Sequence, residues 1–425
     1  MMNRKTLRSI SKFSSFFYAA ITSIKVSFIG QIGSNEIFAS LNLLSIGKWK
    51  KLNHGVPDLK IVNYAYILFL ISQILSDLVN HSTLFDSARG LANIVVAIIV
   101  TSFLMSIILK RSENIIYFLI GLIVSYSFFG IETHTTEVED MGFLKFRLAP
   151  ILNASLLLIV YYLHKIGSNK LYQFLILIGY SIFCLLFDFR SNGIIFMLLA
   201  ISVYSRNFFL TLSMTKVFPK LLIGAILFQV FYSIYVSEVL TGNIGGKHSR
   251  IQLALLENPY NPFNLLLVGR SGAYIAVLAI MDKPVFGHGS WAPDPGGKYT
   301  LLNYKLQQED EKFAERFDRE NGRLFIPSHS VILGAWVTAG FFGFISIVII
   351  MFLFYKRAFL LLRFKSFANS PYYLIVIYYM ASNFWTFLFS PLPHIRESIP
   401  ITLAFVLVLF RKHENFEKVP TSSFI

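Results

Sequence analysis

Cysteine is nearly missing from this chain. Cys184 is the only one in 425 residues, so no disulfide within the chain can brace any loop. Charge is also scarce. Only 14% of residues are Asp, Glu, Lys or Arg, against about 25% in soluble domains. The familiar chemical signatures are missing too. The chain holds no Walker A loop, no GxGxxG after a strand, no HExxH and no CxxC pair. Asp294-Pro295-Gly296 is the nearest approach to a D-x-D metal motif and does not make one. ATP hydrolysis, zinc chemistry and metal-dependent transfer from a nucleotide sugar are therefore disfavoured, and no metal or cofactor is expected.

What the chain has in abundance is apolar surface. It is 55% hydrophobic and 16% aromatic. A bilayer core takes about 20 apolar residues per helix, and runs of about that length recur along the chain. The expected fold class is all-α: a polytopic membrane protein with about 12 transmembrane helices. No strand-period alternation points to a barrel. The spans fall at about 14–30, 34–46, 61–79, 90–109, 115–130, 147–163, 171–187, 192–204, 218–238, 331–354, 371–390 and 398–410. The first two are short and share the break "GQIGS", which fits a tight hairpin.

The formal net charge of +15 reports topology rather than a nucleic-acid partner. Basic residues cluster in alternate connections: Arg4, Lys5, Arg8 and Lys12; Lys48, Lys50, Lys51 and Lys60; Lys110 and Arg111; Lys165 and Lys170; Arg206, Lys216 and Lys220; Lys356, Arg357, Arg363 and Lys365; Arg411, Lys412 and Lys418. The intervening connections hold few, among them Arg89, Lys145, Arg147, Arg190 and Arg396. This is the positive-inside pattern. It places both termini in the cytoplasm. The basic, apolar N-terminus reads as an uncleaved first helix, because Lys25 interrupts it and no A-x-A-like site follows.

Three blocks result: residues 1–238 with nine spans, a large outer loop at 239–330, and residues 331–425 with three spans and a tail, all one integrated membrane domain. The loop is nearly neutral, with ten Lys or Arg against nine Asp or Glu. It is far longer than an idle connection. Residues 264–281 carry an apolar helical pattern ended by Pro284 and the glycines of "PVFGHGSW". Residues 302–321 read as an amphipathic helix, with Leu302, Leu306, Phe313 and Phe317 on one face and the charge pairs Glu315/Arg319 and Arg316/Glu320. That helix either lies over the membrane domain or closes over a site.

The candidate chemistry lies at the outer face. Arg190 sits in the turn "LLFDFRSNGIIF", close to hydrocarbon, where it either snorkels to lipid headgroups or pairs with Asp188, or else faces the bundle interior and binds an anion. Arg270 interrupts "NLLLVGRSGAYIAVL" among apolar and small neighbours, which favours an anion partner. His248, Arg250 and Arg323 are further cations of the same loop and possible substrate-binding groups. His329, in "PSHSVILGAWVTAGFFG", precedes an apolar helix. It either marks the membrane boundary or serves as a general base near neutrality. Pro327, Ser328 and Ser330 around it fit a helix N-terminus, and Gly334, Gly340 and Gly343 permit close contact along that helix. Arginine forks suit a diphosphate leaving group, and a histidine suits deprotonation of an attacking hydroxyl.

At this point the sequence resembles a known family. "PSHSVILGAWVTAGFFGFISIVII" is similar to the H-[NS]-x-x-L-x-x-x-x-x-x-G-x-x-G segment of the O-antigen ligase and O-antigen polymerase superfamily of bacterial envelope glycosyltransferases. "GRSGAYIAVLAIMDKPVFGHGSW" resembles that family's R…PxxGxGxx stretch, and "DFRSNGIIFMLLAI" its S-R-[ST]-type turn. The three occur in the family's order. The resemblance implies a GT-C-like fold in the bacterial inner membrane that acts on undecaprenyl-diphosphate-linked oligosaccharide on the periplasmic side. It implies Arg190 and Arg270 as the residues that hold the donor diphosphate, and His329 as the group that activates the acceptor hydroxyl. A chain-length regulator is a further implied partner. Ser330 stands where ligases commonly carry Asn, which favours a polymerase joining repeat units over a ligase attaching glycan to lipid A core. Asp188-Phe189-Arg190 lacks the small residue usual before the arginine. A polysaccharide or lipid transporter is the competing reading, set against by the few charged residues inside the spans.

Overall fold

A computed structural model describes residues 4–27, 31–46, 56–130, 143–187, 189–206, 214–244, 250, 253–254, 256, 258–262, 264, 271–307 and 324–418. The described chain is mostly helical. In order it forms α1 (Arg4–Ala20), a β-hairpin of β1 (Lys25–Ser27) and β2 (Gln31–Gly33), α2 (Ser34–Ile46), α3 (Pro57–Val79), α4 (Leu84–Lys110) and α5 (Asn114–Phe128). There follow α6 (Ala149–Lys165), α7 (Lys170–Leu186), α8 (Arg190–Tyr204) and α9 (Met214–Thr241). The loop region contributes α10 (Ser271–Asp282) and α11 (Lys298–Gln307), and the chain closes with α12 (Val331–Leu362), α13 (Tyr373–Phe389) and α14 (Ile399–Lys418).

By length and composition, three described helices are long and apolar enough to cross a membrane: α3, α4 and α12. The helices α5, α7, α8, α10 and α13 are apolar but shorter. A helix of 15 residues, such as α5 or α8, is about 22 Å long at 1.5 Å per residue. That is less than the roughly 30 Å of a hydrocarbon core.

Of the helix expected over 14–30, only the part to Ala20 forms. The helix ends at Ala20, and the following residues turn into the hairpin, with Lys25 opposite Gly33, Val26 opposite Ile32 and Ser27 opposite Gln31. Ser34 N donates to Ile24 O at 2.9 Å and closes it. Lys25 in the middle of a spanning helix would cost about 2.5–3.5 kcal/mol, and β-branched Ile24 and Val26 suit strands. Within 302–321, α11 covers the stretch to Gln307, and residues 308–323 lie outside the described residues.

Contacts between connections sort them into two ends. At one, Arg357 donates to Asp58 Oδ1 from Nη2 at 2.7 Å and from Nε at 3.0 Å. There too, Lys412 Nζ donates to Ser112 Oγ at 2.9 Å, and His164 Nε2 is 2.8 Å from Asn369 O. At the other, Arg396 Nη2 donates to Gln31 O at 2.8 Å and its Nη1 lies 3.4 Å from Glu36 Oε2. Ser330 Oγ donates to Phe387 O at 3.1 Å there. Between the ends runs an aromatic core in which Tyr18 packs on Phe103 and Phe118, and Phe118 on Phe405.

The helices of the loop form a small second core. Ile275, Ala276, Ala279, Tyr299, Ile326 and Val337 are buried together, so α10 and α11 rest on the first turns of α12. Asp282, at the unfavourable C-terminal end of α10, accepts hydrogen bonds from Lys298 and Tyr299 of α11. These two donors hold its carboxyl below the usual range.

Candidate functional site

The site is built around the start of α12. Ser330 is its N-cap: the Oγ accepts from Leu333 N at 3.2 Å while donating to the C-terminal turn of α13. This satisfies one orphan N–H of the helix and fixes the segment before it. His329 is therefore held one residue before the N-cap, exposed at that end of the bundle. Its ring lies on Gly272 in the first turn of α10. A Cβ added at 272 would stand 3.1 Å from His329 Nδ1 and 3.4 Å from Cγ, so a side chain there would press on the imidazole.

Farther along, α12 is broken at Gly340, with φ 73° and ψ −163°, a region open essentially to glycine alone. The break frees backbone groups that would otherwise be bonded within the helix. The segment "PVFGHGS" takes them up. His288 N donates to Val337 O at 2.7 Å, Gly289 N to Thr338 O at 3.0 Å, and Phe341 N to Val285 O at 3.1 Å. From α3, Ser72 Oγ donates to Ala339 O at 2.6 Å and Ser76 Oγ to Thr338 O at 2.7 Å. The fit leaves no room for a side chain: a Cβ at Gly340 would fall 2.0 Å from Val285 O.

The same segment is pinned to the ends of α3 and α4. Buried Asp77 accepts from Ser290 N at 2.6 Å and from Ser290 Oγ at 2.7 Å. Gly90 of α4 admits Ser290, whose Oγ would be 2.1 Å from a Cβ there. His288 Nε2 lies 2.8 Å from Ala279 O, which assigns the proton to Nε2. Burial pushes the imidazole pKa down, partly offset by that bond. His288 is thus a neutral strut between α10 and the break. Asp294 serves α11: its Oδ2 accepts from Tyr299 N at 3.0 Å, and from Thr300 N and Oγ1 at 2.8 Å.

The expected site residues separate into three groups. His329 stands against Gly272, two residues after Arg270. Arg190 begins α8 and lies within electrostatic reach of Tyr232 on α9. Arg250 also meets α9: its Nε donates to Val239 O at 3.4 Å, and its guanidinium packs over Gly242. Arg250 therefore acts on the carbonyl end of α9. His248, Arg270 and Arg323 lie outside the described residues. The structure brings Arg190 and Arg250 to the same helix, and it sets His329 on α10.

Sequence reasoning missed Asp77, Arg89, His288, Ser290 and the break at Gly340. The spacing of glycines in "PVFGHGSW" and "TAGFFG" is the signal they left, since two glycine-rich segments can approach backbone to backbone. Pairing them needs contacts between residues about fifty positions apart. No family model matches the chain, and no curated protein matches it in sequence.

Proposed function

We propose that this is a multi-pass glycosyltransferase of the bacterial inner membrane. In this reading it spans the bilayer with about twelve helices of a GT-C-like membrane domain, both termini cytoplasmic. It joins undecaprenyl-diphosphate-linked repeat units on the periplasmic face, as an O-antigen or surface-polysaccharide polymerase does. The observation that carries the reading is the setting of His329. It is an exposed imidazole one residue before the N-cap of α12, at the junction of the large loop and the bundle.

The chemistry follows. The hydroxyl of the acceptor sugar attacks the anomeric carbon of the donor, and the imidazole of His329 takes its proton. The bond from that carbon to the diphosphate oxygen breaks, and undecaprenyl diphosphate leaves with both bonding electrons. Arg190 and Arg270 hold the leaving diphosphate, whose growing charge needs compensation. Transfer to lipid A core, the ligase reaction, uses the same donor and differs only in the acceptor.

The transporter reading draws on the broken helix α12, because discontinuous helices often build substrate sites. Here the groups freed at Gly340 bond to the chain itself, through Val285, His288, Gly289, Ser72 and Ser76. They are not left to line a cavity, so the break favours a structural joint. The test is reconstitution with a lipid-linked repeat unit. Chain lengthening should fall by about 10²–10⁴-fold in His329→Ala, and unchanged lengthening would remove the proton-transfer role.

A further inference from the structure

Arg89 carries a charge that no carboxylate among the described residues meets in an ion pair. It lies in the second turn of α4 and is half-buried. Its Cζ is 4.1 Å from the ring centroid of Trp291 and 5.2 Å from that of Phe85. Asp86, one turn earlier, accepts from Thr83 Oγ1 at 2.7 Å, and among the described residues Arg89 forms no ion pair. Two aromatic faces attract a guanidinium but do not neutralise it.

A second observation falls in the same place. Arg89 Nε and Trp291 Nε1 are both buried and have no hydrogen-bond partner. Buried donors are rarely left so. The backbone that delivers the indole is strained, with φ 66° at Trp291 and 42° at Ala292, and such strain clusters at ligand-binding positions. An anion that presents several oxygens answers both the unmatched charge and the idle donors, and a guanidinium fork suits a phosphate.

We propose that Arg89 and Trp291 form a binding site for a phosphate group. The site is tied to the start of α12. Trp291 and Phe325 are 6.0 Å apart between ring centroids, and Ile326 N donates to Ala292 O at 2.9 Å. From Phe325 to His329 the chain reaches at most about 14 Å. The identity of the ligand as the phosphate of a lipid-linked donor rests on the proposed function, whereas phosphate binding stands without it.

The test is a titration of the full-length protein, purified in detergent, with inorganic pyrophosphate, followed by tryptophan fluorescence. A parallel arm uses nanodiscs of phosphatidylglycerol against phosphatidylcholine. A saturable response that vanishes in Trp291→Phe and weakens on the order of tenfold or more in Arg89→Gln is the expected result. Response to pyrophosphate assigns a site open to soluble phosphates. Response to phosphatidylglycerol alone assigns a lipid headgroup, and both support the site. No saturable response in either arm, or one retained in Arg89→Gln, overturns it. Should Arg89→Gln fail to fold, Arg89→Lys keeps the charge without the fork and should still weaken binding. Pyrophosphate binding without chain lengthening would sink the glycosyltransferase reading and leave this site standing.

Discussion

Single residues divide here into those whose setting is local and those whose setting is not. The N-cap role of Ser330 was legible in "PSHS", because capping depends on residues within one turn. The placement of His329 follows from it. Arg250 was legible only as a cation, since the carbonyl it meets lies on α9. His288 was hidden altogether, because its burial comes from α10 and the break in α12. Its setting has a measurable consequence. Burial holds its folded pKa below the ordinary value of about 6.5, so the unfolded chain binds the proton first as pH falls. The stability tied to its neutral form is present above pH 6.5 and is lost as pH drops from there through the folded pKa. Thermal unfolding in detergent should therefore show a midpoint that falls below pH 6.5. In His288→Gln, whose amide can still donate to Ala279 O, the fall should be shallower, and an unchanged slope would assign it to other groups.

Among elements, the helices were legible from apolar runs, and a described helix stands within or across each expected stretch. The first differs most: α1 begins in the basic segment and ends ten residues early. Lys25 was the warning, and the hairpin it joins is the outcome. The break in α12 could not be read, because "TAGFFG" is also compatible with a continuous apolar helix. Its stability comes from α3 and from "PVFGHGS", segments about 260 and 50 residues away. Gly340 is where that joint is most exposed to test. Gly340→Ala should cost at least about 1–3 kcal/mol for the backbone conformation alone, with the overlap on Val285 O added. Gly179→Ala in α7 has nothing within 4 Å of the new Cβ and should stabilise by about 0.5–1 kcal/mol. Unfolding midpoints of the two variants should move in opposite directions, and a silent Gly340→Ala would mean the break is not required.

At the scale of the molecule, the basic connections were legible as one face through the positive-inside pattern. The structure gathers several of them at one end, through Asp58–Arg357, Ser112–Lys412 and His164–Asn369. Which end faces the cytoplasm is open to chemical labelling. Cys184 is the only cysteine, so Cys184→Ala gives a thiol-free background. In it, Lys298→Cys and Glu113→Cys place thiols at exposed positions on opposite ends, with native side chains 66% and 58% exposed. A membrane-impermeant maleimide added to spheroplasts should label the first directly and the second only after the membrane is opened. Reverse labelling would invert the topology.

The most direct test of glycosyl transfer is the product made by the purified protein in proteoliposomes. A lipid-linked repeat unit is supplied on the face that carries the loop. Glycan length on the lipid and free undecaprenyl diphosphate are then measured together. The proposed polymerase predicts one undecaprenyl diphosphate released for each repeat unit added, with longer lipid-linked chains accumulating. Movement of intact substrate across the bilayer, with neither bond formation nor release of undecaprenyl diphosphate, would contradict it.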